Sequence, residues 1–152
     1  MALRVVGSLD DYDTSGLTQK WPLAAGVHIG IAPGTGRRGR HSLRSWIDKS
    51  YAARLMPPAA TWIVGMSVRF ASNVLGNTCR IIDWSEGGTV QALVAVTVTG
   101  QVQLQRGDGT ILATSTLGLG FDTTYYLEWW LTVSATAGVS TVRIDGIPVV
   151  SA

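Results

Sequence analysis

Apolar and polar positions alternate along most of this chain. Over 61–70, Trp62, Val64, Met66, Val68 and Phe70 fall on one side, opposite Thr61, Gly65, Ser67 and Arg69. Over 125–134, Leu127, Trp129, Leu131 and Val133 oppose Tyr126, Glu128, Trp130 and Thr132. A period of two is that of a half-buried β-strand, whose successive side chains point to opposite faces. Between these runs, 89–99, 101–106 and 110–115 are rich in Val and Thr, which suit strands. Segments 139–145 and 147–150 close the pattern. Helical periodicity is nearly absent, so the expectation is all-β.

The residues between runs agree. Asp108-Gly109 and Asp145-Gly146 are expected to form hairpin turns of type I′, because both residue types tolerate positive φ. Thr99-Gly100 predicts a further tight reversal, Ser85-Glu86-Gly87-Gly88 a turn, and 135–138 a short hairpin loop. Short strands at this spacing predict an antiparallel β-sandwich or barrel, with the sandwich favoured, in one domain over 1–152. The first third is less regular. There, 27–32 and 42–47 are expected strands, 33–40 a Gly/Arg loop, and 52–60 a loop or single helical turn.

Composition changes this picture in one respect. Of the 152 residues, 46% are hydrophobic and only 14% charged, against a usual charged share of about 25%. So little charge leaves apolar surface for a partner to cover; a monomer coated in Thr, Ser, Gln and Gly is the alternative. The net charge of +2 is too small to point to nucleic acid. Cys79 is the single cysteine, so no intrachain disulfide forms, and folding inside the cell is expected. No apolar stretch suits a signal peptide or a membrane span, and a soluble chain is expected.

Candidate chemistry is sparse. Gly34, Gly36 and Gly39 spell G-x-G-x-x-G, but a strand-like segment follows where a dinucleotide site needs a helix. The same loop gathers Arg37, Arg38, Arg40, His41 and Arg44, the candidate partner-binding residues, since guanidinium groups grip carboxylate or phosphate by paired hydrogen bonds. A solvated loop is the competing reading. Asp10, Asp11 and Asp13 lack the glycine and distal glutamate of a calcium loop, and read as a turn. The two glutamates, Glu86 and Glu128, do not form the carboxylate pair of a glycosidase. His28 and His41 have no nucleophile or acid in a triad arrangement. No catalytic residue, cofactor or metal site is expected. Of the six tryptophans, Trp62 and Trp129 read as core; Trp21, Trp46 and Trp84 are not assigned. Trp130 and Tyr126 share the opposite strand face with Glu128, and these three are candidate glycan-binding residues, aromatic faces being suited to stacking on sugar rings.

Several segments together resemble a known family. They are Leu9-Asp-Asp-Tyr-Asp-Thr, Gly36-Arg-Arg-Gly-Arg-His-Ser-Leu-Arg, and the stretches 61–70, 103–115, 124–133 and 142–149. In this order they resemble the concanavalin A-like, laminin-G-like jelly-roll domains of tailed-bacteriophage virion proteins. The resemblance implies two curved antiparallel sheets packed face to face, in tail fibres, baseplates or capsid decoration proteins. It implies a non-enzymatic, oligomeric virion component, assembled in the host cytoplasm, whose partners are other virion proteins, further copies of itself, or a host glycan. The acidic motif of the enzymatic relatives has no match. Members often carry one more strand after the one matching 147–150, so that edge is expected to accept a neighbour's strand, to be closed by the N-terminal segment, or to belong to a shortened form.

Overall fold

A computed structural model describes residues 59–70, 78–134 and 136–152 in full, and of the earlier residues the backbone of four short strands. The chain divides into two compact units, 1–58 and 59–152. In the first, β1 (Leu23–Ala25) pairs antiparallel with β4 (Tyr51–Ala53), and β2 (Ile29–Ala32) with β3 (Ser42–Ser45). Strands β2 and β3 fall where alternation predicts them. Strands β1 and β4, of three residues each, are too short to show a period, and β4 takes in residues 52 and 53 of the loop or single helical turn expected over 52–60.

The second unit is all-β, with no helix among its described residues. One four-stranded sheet has the order β12-β11-β10-β5, from β5 (Thr61–Arg69), β10 (Thr124–Thr132), β11 (Val139–Ile144) and β12 (Ile147–Ser151). The other is a meander of β6 (Cys79–Glu86), β7 (Thr89–Val96), β8 (Gln101–Arg106) and β9 (Ile111–Gly118). All pairings are antiparallel. The chain crosses between sheets after β5 and again after β9.

The alternating runs become the inner faces. Leu127, Trp129, Leu131, Val142, Ile144 and Val150 of one sheet share a buried cluster with Val94, Val96, Val102 and Leu104 of the other. Trp62 is also buried, as expected, and its ring meets Trp84 at 4.7 Å, joining β5 to β6. The buried Trp129 indole donates to Ser140 Oγ at 2.8 Å, so this polar atom is satisfied inside the core.

The turns divide into two kinds. Asp145 (φ 50°) and Gly146 (φ 83°) both take positive φ, as a type I′ hairpin requires. The Asp145 carboxylate also accepts from the Tyr126 amide at 2.9 Å. The Asp108-Gly109 turn differs from expectation. Here only Gly109 has positive φ, and its amide donates to Arg106 O at 3.0 Å. That is a three-residue loop closed by a glycine bulge. Asp108 instead accepts from the Thr110 amide at 2.8 Å, and this bond holds its carboxyl below the usual range. The depressed value adds stability above the unfolded pKa, which is lost as pH falls through the folded one. The 97–100 reversal repeats the pattern, with Gly100 donating to Thr97 O at 2.9 Å.

Leu127 is fully buried in the middle of β10. Leu127→Ala is expected to lower unfolding free energy by about 2–5 kcal/mol in urea denaturation, through lost burial and a cavity. Trp129→Phe removes the indole N–H and part of the ring, leaving Ser140 Oγ without its donor beside a small cavity, and should cost about 2–4 kcal/mol.

Candidate functional site

The outward face of β10 carries Tyr126, Glu128 and Trp130, and turns there because Leu127, Trp129 and Leu131 are claimed by the core. Register places their neighbours. Tyr126 lies beside Ser67, Glu128 between Gly65 and Arg143, and Trp130 between Ile63 and Thr141. The three predicted residues are therefore brought together on one half-exposed surface.

Two residues that sequence reasoning missed complete it. Gly65 leaves room for the Tyr126 ring, since a Cβ there would overlap the Tyr126 hydroxyl oxygen. The Arg143 guanidinium carbon lies 4.5 Å from the Trp130 ring centroid, a cation–π contact worth about 0.5–2 kcal/mol. Arg143 stands directly across from Glu128 but turns to Trp130, and its Nε is buried without a hydrogen-bond partner. Glu128 has no hydrogen bond or ion pair among the described residues. The surface thus offers a carboxylate acceptor, two aromatic rings and guanidinium donors, a set suited to hydroxyl-rich ligands. One face of Trp130 is already covered by Arg143, which narrows the area left for stacking. No local signal marks Arg143 or Gly65; only the β5-β10-β11 register joins them to the rest.

A second surface lies where β9 and β12, each the last strand of its sheet among the described residues, run along one side of the two sheets. A groove of about 210 Å³ there is lined by Leu117, Leu119, Tyr125, Ile144, Ile147 and Val149, with Asp145 as its charged member. Leu117 is 74% exposed and Ile147 66%. The volume falls below the roughly 300 Å³ at which small-molecule pockets begin. It suits an apolar side chain of a protein partner.

The loop residues Arg37, Arg38, Arg40 and His41 lie outside the described residues, as do Asp10, Asp11, Asp13, Trp21, His28 and Trp46. Arg44 is on β3, paired with Gly30. Cys79 starts β6 and is half-buried. Glu86 ends β6, in the sheet opposite Glu128, so the two glutamates belong to different sheets. Among the described residues no three or more His, Cys, Asp or Glu side chains converge as metal ligands. No helix among them is long and apolar enough to cross a membrane. No protein-family model, curated protein or solved structure matches the chain.

Because the Tyr126 hydroxyl occupies the space over Gly65, Gly65→Ala is expected to push the exposed Tyr126 ring aside at a cost of about 1 kcal/mol or less. In a Tyr126→Ala background the same change should be nearly neutral. A double-mutant cycle by urea denaturation measures this coupling.

Proposed function

We propose that this chain is a non-enzymatic structural component of a tailed-phage virion, in its tail or fibre or decorating its capsid, acting through protein–protein contacts. The observation that carries the reading is the exposed apolar surface around the β9–β12 groove, with Leu117 and Ile147 at its mouth. A chain with 14% charged residues gains most by covering such a surface with a partner. In this reading the sandwich is a concanavalin A-like jelly roll. The sequence resemblance supports that assignment, and two face-to-face antiparallel sheets are in keeping with it. Purified chain added to virions lacking it should bind at a fixed copy number, counted by quantitative gel analysis. Leu117→Asp with Ile147→Asp should reduce binding at least tenfold while leaving the circular dichroism spectrum unchanged. Binding that survives both changes removes the groove from the reading.

A second reading is a carbohydrate-binding module that recognises a host surface glycan. It is favoured by one observation: Glu128, without a partner of its own, lies between exposed Tyr126 and Trp130 on one strand face. On a glycan array this reading expects a retained ligand, weakened tenfold or more by Glu128→Gln and by Tyr126→Ala. An empty array, or binding indifferent to both changes, eliminates it.

A further inference from the structure

The two sheets of the second unit have four edges, and three of them are interrupted. Strand β12 contains Pro148 and skips a residue against β11 at Val149. Strand β9 skips residues twice against β8, and β6 skips Ile81 against β7. Bulges and proline are the devices by which sheets blunt an edge against association. Strand β5 has none of them. All nine of its residues pair with β10 in one unbroken register, and its other side has no strand partner among the described residues.

The phase of its hydrogen bonds follows from one contact. The Val133 amide donates to the Ala60 carbonyl at 2.8 Å. Bonded pairs alternate with non-bonded ones in an antiparallel ladder. Residues 62, 64, 66 and 68 therefore turn their backbone groups to β10. Thr61, Ile63, Gly65, Ser67 and Arg69 turn theirs outward, and all five are exposed. The core also thins here. Val64, Met66 and Val68 face inward yet are only half-buried, whereas Leu127 and Trp129 on the adjacent strand are 0% and 2% exposed.

The geometry points to this edge as a homodimer interface, in which the β5 strands of two copies pair antiparallel about a two-fold axis at Gly65. The occupant is a second copy because the edge complements itself. Centred on Gly65, the register sets Ile63 against Ser67 and Thr61 against Arg69, and gives every outward amide a facing carbonyl. No like charges are opposed. The two Arg69 residues lie at opposite ends, about 26 Å apart along the strand, and each keeps its own Asp122 at 3.3 Å. The side-chain-free Gly65 occupies the axis. A two-fold contact of this kind closes on itself and consumes the one unbroken edge among the described strands of the second unit, giving an eight-stranded sheet. Pairing through one strand edge is expected to bury less than a standard interface of roughly 1,200–2,000 Å², so a weak dimer that dissociates on dilution is expected. The inference rests on the assembly reading and names one of its surfaces.

Sedimentation equilibrium on the full chain tests it. A monomer–dimer equilibrium is expected, with Ser67→Pro weakening it at least tenfold. Proline at Ser67 removes an outward amide and costs no bond to β10. Ser151→Pro, which does the same at the β12 edge, should leave dimerisation unchanged. In a Cys79→Ser background, Ile63→Cys with Ser67→Cys should oxidise to a covalent dimer. Facing Cα atoms in a bonded pair are about 5.5 Å apart, within disulfide reach. Within one strand these positions are roughly 13 Å apart and cannot join. A chain that stays monomeric at every concentration overturns the inference. So does a dimer indifferent to Ser67→Pro, one abolished by Ser151→Pro, or failure of the double-cysteine variant to cross-link. A monomer that still binds virions lacking it overturns the edge pairing alone, and a dimer that fails to bind them overturns the virion reading alone.

Discussion

The second unit depends on burying the inner row of β10. Leu127, Trp129 and Leu131 face Val94, Val96, Val102 and Leu104, and each row lacks cover without the other. Each fully buried aliphatic or aromatic side chain contributes about 1.5–3 kcal/mol. Strand β10 also lies inside its sheet, with β5 on one side and β11 on the other. The core and the ladder therefore fix the same strand twice. Its alternation leaves no choice for the remaining side chains, and Tyr126, Glu128 and Trp130 must face outward. The candidate ligand surface is the other side of the core.

That coupling explains why the surface is built from small accommodations. The Tyr126 ring needs the empty position at Gly65. Arg143 reaches Trp130 because the β10–β11 pairing holds its Cα opposite Glu128, one cross-strand step away. Guanidinium stacking on an indole loses less hydration than an ammonium would, which is consistent with arginine at this position. The carboxylate of Glu128 is left facing outward, and the chemistry of the face follows from that.

The two candidate surfaces differ in origin. The sheet face is polar and aromatic and belongs to one strand with its two neighbours. The β9–β12 groove is apolar and belongs to the margins of both sheets, where neither has a further strand among the described residues. The interruptions at Pro148 and along β9 discourage strand pairing there, while leaving Leu117 and Ile147 outward. Contact through side chains is thus favoured on that side, and contact through backbone at β5.

Alternation by itself determined the all-β character, the inward placing of Trp62 and Trp129, and the shared outward face of Tyr126, Glu128 and Trp130. It could do so because a strand's period of two assigns faces without knowledge of neighbours. Positive φ at Asp145-Gly146 was legible for a similarly local reason. The Asp108-Gly109 turn was not, because loop length, set by where β8 and β9 stop pairing, decides which residue takes positive φ. The cross-strand neighbours of Glu128, the stacking of Arg143, the Trp62–Trp84 contact and the bulges of β6, β9 and β12 were decided only by tertiary structure. Each depends on register between strands far apart in sequence, and register is a property of the assembled sheet.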